Sequence, residues 1–350
     1  MVKAVFDEAR KESPRKVFTV GIDDDVTHLS LDVTEQVRTT AADTTYQSIF
    51  YGIGADGTVG GTKQVASIIG NSAEFYAQAY FSYSAKKSGG YTVSQLRIGR
   101  KPVTSAYGIQ DADYVGCHKN TYVNRFHLLD NAKDGAIFVL NSPWSVDEMS
   151  VKLPARLRRQ IASKKIRFYN IDADKIAATV GLGTRINMPM ETVFLYLSGI
   201  IPFGIGVDGL KEQIRETYRH EGNSVVEKNL KAVDMAVDSL VEINYPDSWI
   251  TAEDNPADDA ALAGLPSFIR DIHRPCMARL GNMIPVSKFS PDGVIPMGTT
   301  AYEKRRIATN VPRWDVEKCV ECAECSLVCP HAAIRPFILT PGERASAPDG

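Results

Sequence analysis

Ser48-Ile49-Phe50-Tyr51-Gly52-Ile53-Gly54-Ala55-Asp56-Gly57-Thr58-Val59-Gly60-Gly61-Thr62-Lys63 runs from an apolar stretch into a glycine-rich loop. Ser48 to Tyr51 reads as a strand, Gly52 to Gly61 as a loop, and Lys63 to Ile69 as the helix into which that loop opens. Gly52, Gly54 and Gly57 spell G-x-G-x-x-G in the strand–loop–helix setting that gives the pattern physical meaning. Glycine there allows a tight turn and brings backbone N–H groups close to a phosphate, and the helix N-terminus adds a partial positive charge. Plain turns use the same glycines, so the pattern alone is weak.

Outward from the loop, short apolar segments recur. Ala79–Tyr83, Thr92–Ile98 and Tyr114–Cys117 read as strands, and the apolar runs Ala136–Leu140 and Ile166–Ile171 as buried parallel ones. Strands alternating with helical stretches predict an α/β fold, a doubly wound and mostly parallel sheet, over residues 43–250. Ahead of it, residues 1–42 form an extension in which Lys16–Ile22 resembles a short strand closed by Asp23, Asp24 and Asp25. The segment from Ser30 to Thr45 reads as turn or linker. Leu195 to Val207 is the most apolar run, but Ser198, Pro202 and three glycines make it a buried helix end and loop. Ser224 and Glu227 match a capping box, and Val226, Leu230, Val233, Val237, Leu240 and Val241 recur at helical spacing until Tyr245-Pro246-Asp247.

Past residue 250 the composition changes. Thr251 to Leu265 is acidic and rich in Ala and Pro. Pro266, Pro275, Pro285, Pro291 and Pro296 keep the next stretch irregular, so 251–308 reads as a spacer. Residues 309–350 form a cysteine segment whose last ten residues look disordered. The 350 residues carry a net charge of −2, with 44% hydrophobic and 23% charged residues, ordinary for a globular protein of about two domains. This balance predicts neither nucleic-acid nor anionic-membrane binding. There is no signal-peptide pattern and no long apolar span, so the expected location is cytoplasmic.

Cys319, Cys322, Cys325 and Cys329, with Pro330 next, give Cys-x₂-Cys-x₂-Cys-x₃-Cys-Pro, the spacing of a bacterial-ferredoxin [4Fe–4S] run. In such runs the first three thiolates hold one cluster and the fourth serves its neighbour. Twenty-one residues come after Cys329 and none is cysteine, so the remaining ligands belong to further sequence or to a partner. Zinc is the alternative, although zinc sites usually separate two Cys-x₂-Cys knuckles by a longer loop. Cys117 and Cys276 read as buried, reduced thiols.

Two details bear on the ligand of the glycine loop. A nicotinamide reading wants a carboxylate at the end of the second strand. Ser84-Ala85-Lys86-Lys87-Ser88-Gly89-Gly90 offers lysines there instead, which favour an extra phosphate, as in coenzyme A or NADP. Asp56-Gly57 also invites comparison with the Gly-Asp-Gly metal motif of thiamine diphosphate enzymes. Ala55 precedes Asp56 and no Asn-Asn pair lies at the expected remove, so that reading is rejected.

Phe50–Lys63, Ser84–Gly90, Ser94–Gly99, Phe138–Trp144 and Gly183-Thr184-Arg185-Ile186-Asn187 together resemble the γ-type domain of pyruvate:ferredoxin (flavodoxin) oxidoreductases. Pro285–Ala308 resembles that family's spacer, and Val328–Arg335 the first cluster motif of its ferredoxin domain. The resemblance runs through essentially the whole chain. It implies coenzyme A contacts from Gly54, Ala55, Asp56, Gly57 and Thr58, a phosphate contact from Lys86, and polar contacts from Asn187 and Asn229. It implies [4Fe–4S] clusters on Cys319, Cys322, Cys325 and Cys329, with thiamine diphosphate and Mg²⁺ bound outside this chain. Ferredoxin or flavodoxin would accept the electrons, and the complete enzyme would be a homodimer. On this reading the chain is an internal section that alone does not turn over pyruvate. Gly61-Thr62 stands where the family tends to show Ala-Asn, Gln95 where His is common and Ala85 where Asp is common. Another 2-oxoacid as substrate, a non-catalytic electron-transfer scaffold and an NADP-linked reductase are the alternatives.

Overall fold

The computed structural model describes residues 1–22, 24–33, 44–72, 74–85, 90–255, 262–303, 312–330 and 332–347. The chain divides into two compact units, Met1–Arg305 and Arg306–Gly350.

In the first unit, α1 (Val2–Ala9) precedes a two-stranded parallel pair, β1 (Thr19–Val20) and β2 (Ser30–Leu31). The predicted strand Lys16–Ile22 is thus only two residues long. Asp25 is why: its carboxylate accepts from Thr27 and from the backbone N–H of Leu29 and Ser30, pulling the chain into a loop. Asp24 Oδ2 accepts from Ser287 N at 2.9 Å, which ties this extension to the spacer.

The main sheet comprises β3 (Thr45–Ile53), β4 (Tyr76–Tyr83), β5 (Tyr91–Gly99), β6 (Ala112–Cys117), β7 (Ala132–Asn141), β8 (Arg167–Ile171) and β9 (Val241–Glu242). Their spatial order is β4-β5-β3-β6-β7-β8-β9. The neighbours β3, β6, β7 and β8 are parallel, as expected. Strands β4 and β5 differ from the expectation: they form an antiparallel hairpin beside β3. Only the turn between Tyr83 and Tyr91 joins them, too short for the crossover of about a dozen residues that a parallel pair needs.

Strand alternation feeds two cores. Phe50, Ile137 and Val139 face one side of the sheet, and Ile49, Tyr51, Phe138 and Leu140 the other. The first core is covered by α2 (Thr58–Gly70), α5 (Ala173–Val180), α6 (Asn187–Ser198), α7 (Phe203–Tyr218) and α8 (Asn223–Ala236). On the second lie α3 (Val146–Lys152), α4 (Ala155–Ser163) and Trp249. Helices on both faces make the sheet doubly wound. Helix α6 is apolar nearly all round, and its Phe194 meets Phe50 and Tyr114 edge-on at centroid distances of 5.2 and 4.9 Å. Such ring pairs contribute about 0.5–1.5 kcal/mol each beyond the area they bury.

Four further expectations are corrected. Helix α2 begins at Thr58 rather than Lys63. The capping box of Ser224 and Glu227 does not form, because Gly222 is the N-cap of α8 and no side chain caps it. That helix ends at Ala236, not at Tyr245. Val241 leaves the helical stripe to pair with Asn170 on the edge of β8, and a β-branched residue suits that strand. The run Leu195–Val207 holds a helix end, a short connection and the start of α7.

The spacer holds a π-helical turn (Ile269–His273) running into α9 (Arg274–Met277), with Ile269 and Ile272 buried. Cys276, expected to be buried, is exposed, while Cys117 is buried and its thiol is pushed up to about 12 by that burial. In the second unit α10 spans Glu324–Val328 and α11 Pro341–Ser346. The last ten residues are therefore not wholly irregular: Thr340 and Glu343 close a reciprocal capping box that starts α11. Among the described residues no helix is long and apolar enough to cross a membrane.

Candidate functional site

The glycine loop leaves the carboxyl end of β3, where parallel β6 lies on one side and antiparallel β5 on the other. The chain winds outward in opposite directions from here, so ligands of open α/β sheets bind at such a point. Gly57 is the N-cap of α2 at φ 88°, a left-handed conformation that favours glycine. A methyl group there would also lie 2.7 Å from Asn187 Oδ1.

Asp56 organises the turn. Its Oδ2 accepts from Ile53 N at 2.7 Å, and its Oδ1 from Thr58 N at 2.9 Å and Thr58 Oγ1 at 2.6 Å. Thr58 Oγ1 then meets His118 Nδ1 at 2.7 Å. The threonine proton is committed to the carboxylate, so His118 donates from Nδ1, which sets its tautomer. Burial pushes the His118 pKa down, favouring the neutral ring, and the Asp56 charge opposes this. Asp56 and Thr58 are buried while Gly54 and Ala55 are exposed. The carboxylate thus serves the loop from inside, and the loop's backbone faces solvent ahead of the helix N-terminus.

Asn187 stands at the start of α6 against Gly57, so the structure brings it to the loop. Asn229 lies in α8, and its Nδ2 donates to Val225 O of its own helix at 2.8 Å. Lys86 falls outside the described residues. The flank of its turn is visible: Gly54 N donates to Gly90 O at 3.2 Å.

Two buried residues of this region escaped the sequence reading. His118 comes directly after β6, a position at the carboxyl end of a parallel strand that could have drawn notice. Glu191 is the one acidic residue of α6, and a Cβ at Gly61 would overlap its Oε1. Neither Glu191 oxygen has a well-aligned hydrogen-bond partner, and the Asn187 amide is a loosely placed donor to it. Burial holds its carboxyl well above the usual range; the Asn187 amide opposes this and the Asp56 charge adds to it.

In the second unit Cys319, Cys322 and Cys325 are exposed and Cys329 is half-buried. The backbone is left-handed at Glu321, Ala323 and Ala332, with φ of 54°, 58° and 50°. Non-glycine residues adopt this region at a cost of about 1–2 kcal/mol, and here it turns the chain sharply between and just after the cysteines. Cys329 Sγ accepts from Ala333 N at 3.3 Å, the kind of hydrogen bond that tunes cluster sulfurs. Four soft donors in a coiled, accessible segment fit an iron–sulfur cluster. Among the described residues no group of three His, Cys, Asp or Glu is placed to hold a metal ion, so the four thiols are not brought together as ligands in this structure.

Comparison with known proteins gives three family matches in chain order. The family described as pyruvate ferredoxin/flavodoxin oxidoreductase matches residues 47–239, a domain of unknown function 255–308, and a 4Fe-4S binding domain 312–335. Pyruvate:ferredoxin oxidoreductase of Moorella thermoacetica is 49% identical over 100% of this chain and 30% of its own length. Pyruvate-flavodoxin oxidoreductase of Enterobacter agglomerans is 44% identical over 99% of this chain and 30% of that protein. Pyruvate dehydrogenase [NADP(+)] of Cryptosporidium parvum is 43% identical over 100% of this chain and 19% of its length. The chain therefore spans under a third of the relatives it matches.

Proposed function

Because this chain belongs to the pyruvate ferredoxin/flavodoxin oxidoreductase family, we propose that it is the coenzyme A-binding and first-cluster section of a pyruvate:ferredoxin or pyruvate:flavodoxin oxidoreductase. The complete enzyme converts pyruvate and coenzyme A to acetyl-coenzyme A and CO₂, releasing two electrons and a proton. Decarboxylation needs thiamine diphosphate and Mg²⁺, which belong to domains outside this chain. The domain limits we infer are 1–42, 43–250, 251–308 and 309–350. The complete enzyme is a cytoplasmic homodimer whose electrons pass to ferredoxin or flavodoxin.

The observation that carries the coenzyme reading is the exposed Gly54–Ala55 backbone ahead of α2, braced from below by Asp56, Thr58 and His118. Backbone N–H groups at such a terminus suit a diphosphate, and with Gly54 N committed to Gly90 O and Asp56 N to Ile53 O, Ala55 N is the donor this part of the loop would offer. The Gly54–Gly90 hydrogen bond supports Lys86 as a phosphate contact, since it holds the flank of the Lys86 turn against the loop. Asn187 supplies a side-chain amide beside Gly57. Asn229 would reach the ligand through its Oδ1, its Nδ2 being committed to Val225. Cys319, Cys322 and Cys325 hold one cluster and Cys329 a neighbouring one; the clusters carry single electrons.

Titration calorimetry of coenzyme A into the chain tests the site. Saturable binding that weakens for the analogue lacking the 3′-phosphate, and for Lys86→Ala, is expected. No saturable heat would favour the non-catalytic scaffold. The relative named for NADP keeps a nicotinamide acceptor as the second reading, and competition between NADP and coenzyme A at this loop would favour it.

A further inference from the structure

Helix α6 meets the ligand loop and α2 at three successive points. Ile186 N, just ahead of α6, donates to Asp56 O at 3.3 Å. Asn187 fills the space over Gly57, and Glu191, one turn on, fills the space over Gly61. Two side chains a turn apart thus sit on two glycines a turn apart, which sets how α2 lies on α6.

Glu191 is an unusual choice for such a seat. It is 5% exposed, and its carboxyl has no well-aligned hydrogen bond, the Asn187 amide being a loosely placed donor. The nearby Asp56 accepts three hydrogen bonds, the pattern of a charged carboxylate. Two negative charges in one buried site repel strongly, and a lone buried carboxylate is costly. An ionised Glu191 would be driven from its place over Gly61, and α2 would lose its seat.

We propose that Glu191, in its uncharged form, is the positioning residue that seats α2 and the Asp56–Thr58 loop, so that ligand grip weakens as Glu191 ionises. The groups that face it are Asp56 from the loop and Tyr218 from α7, with Arg185 and Glu221 acting on Tyr218 and His118 facing Asp56. Burial lowers His118 from 6.5 and raises Tyr218 from 10.0, so between pH 7 and 9 both stay uncharged. A loss of grip over this range would then trace to Glu191, whose carboxyl is held well above its usual range by burial, and not to these neighbours.

The proposal rests on the coenzyme reading only for its ligand readout. Coenzyme A is titrated into the chain and into Glu191→Gln at pH 7, 8 and 9. Taking the ratio of the two dissociation constants at each pH cancels the coenzyme's own ionisations. That ratio, wild type over variant, is expected to grow about tenfold, as when the competent fraction falls to about a tenth. Hydrogen exchange of the α2 amides, referenced to intrinsic rates, should lose protection over the same range in the wild type alone. A constant ratio with equal protection overturns the proposal. Absence of coenzyme binding in both proteins, with protection still diverging, overturns the coenzyme reading and leaves Glu191 in its role. If Glu191→Gln does not fold, Asp56→Asn replaces it in the exchange experiment: the Asp56 charge opposes ionisation of Glu191, so its removal should move the loss of protection to lower pH. An unmoved loss overturns the proposal.

Discussion

Gly60 and Gly61 are adjacent in α2, yet alanine should act on them with opposite sign. A methyl at Gly60 meets nothing within 4 Å, whereas one at Gly61 lands on the Glu191 carboxyl. Alanine in place of a helical glycine gains up to about 1 kcal/mol. Gly60→Ala should therefore raise unfolding stability by about that amount. Overpacking a close-packed interior costs about 1–3 kcal/mol, and full overlap with a buried group belongs at the upper end. Set against the same helix gain, Gly61→Ala should lose about 2 kcal/mol. The neighbours then differ by about 3 kcal/mol, read as shifted urea midpoints at constant slope. Glu191→Ala removes the obstacle, so on that background Gly61→Ala should behave like Gly60→Ala. The double-mutant cycle should show coupling well above the scatter of about 0.5 kcal/mol seen for independent sites. Additive effects would refute the packing argument.

Other expectations concern polar groups. Thr58→Val leaves His118 Nδ1 without an acceptor in a buried site and should cost about 1–3 kcal/mol, while Thr58→Ser keeps the hydroxyl and should cost far less; equal urea midpoints would contradict the assigned bond. Asp25 is lowered to about 2, chiefly by its hydrogen bond from Thr27. Its support for the amino-terminal loop is present above the ordinary value of 3.8 and is lost as pH falls through about 2. Asp25→Asn should thus flatten the acid limb of that loop's amide-exchange profile; an unchanged limb would count against it. Cys319→Ser, Cys322→Ser or Cys325→Ser in the complete enzyme should each remove the first cluster's share of iron and sulfide, and full retention would disprove the ligand set.

The parallel strands were legible because period and apolar runs are local, and the glycine loop because its geometry demands glycine. The β4–β5 hairpin was harder, since strand direction is set by connection length and pairing, which composition does not display. Val241 kept helical spacing and still became a strand: the open edge of β8 offered hydrogen bonds that a solvated last turn could not match. Asp56 was found as a loop residue, but its internal bonding to Ile53 and Thr58 appears only in three dimensions. His118 and Glu191 stayed hidden because each reaches the loop from a distant part of the sequence. The Gly61 departure from the family's usual residue was visible, and its cause was the partner on α6.

The loop springs from β3, which lies inside the sheet, paired over nine residues to β5 and over four to β6. Lys86, outside the described residues, follows β4 in the chain, and β4 is an edge strand with one neighbour. One side of the proposed grip thus springs from a strand paired on both edges, while the other follows a strand at the sheet's margin. A ligand held between them would meet a strand paired on both sides at one end and the margin of the sheet at the other.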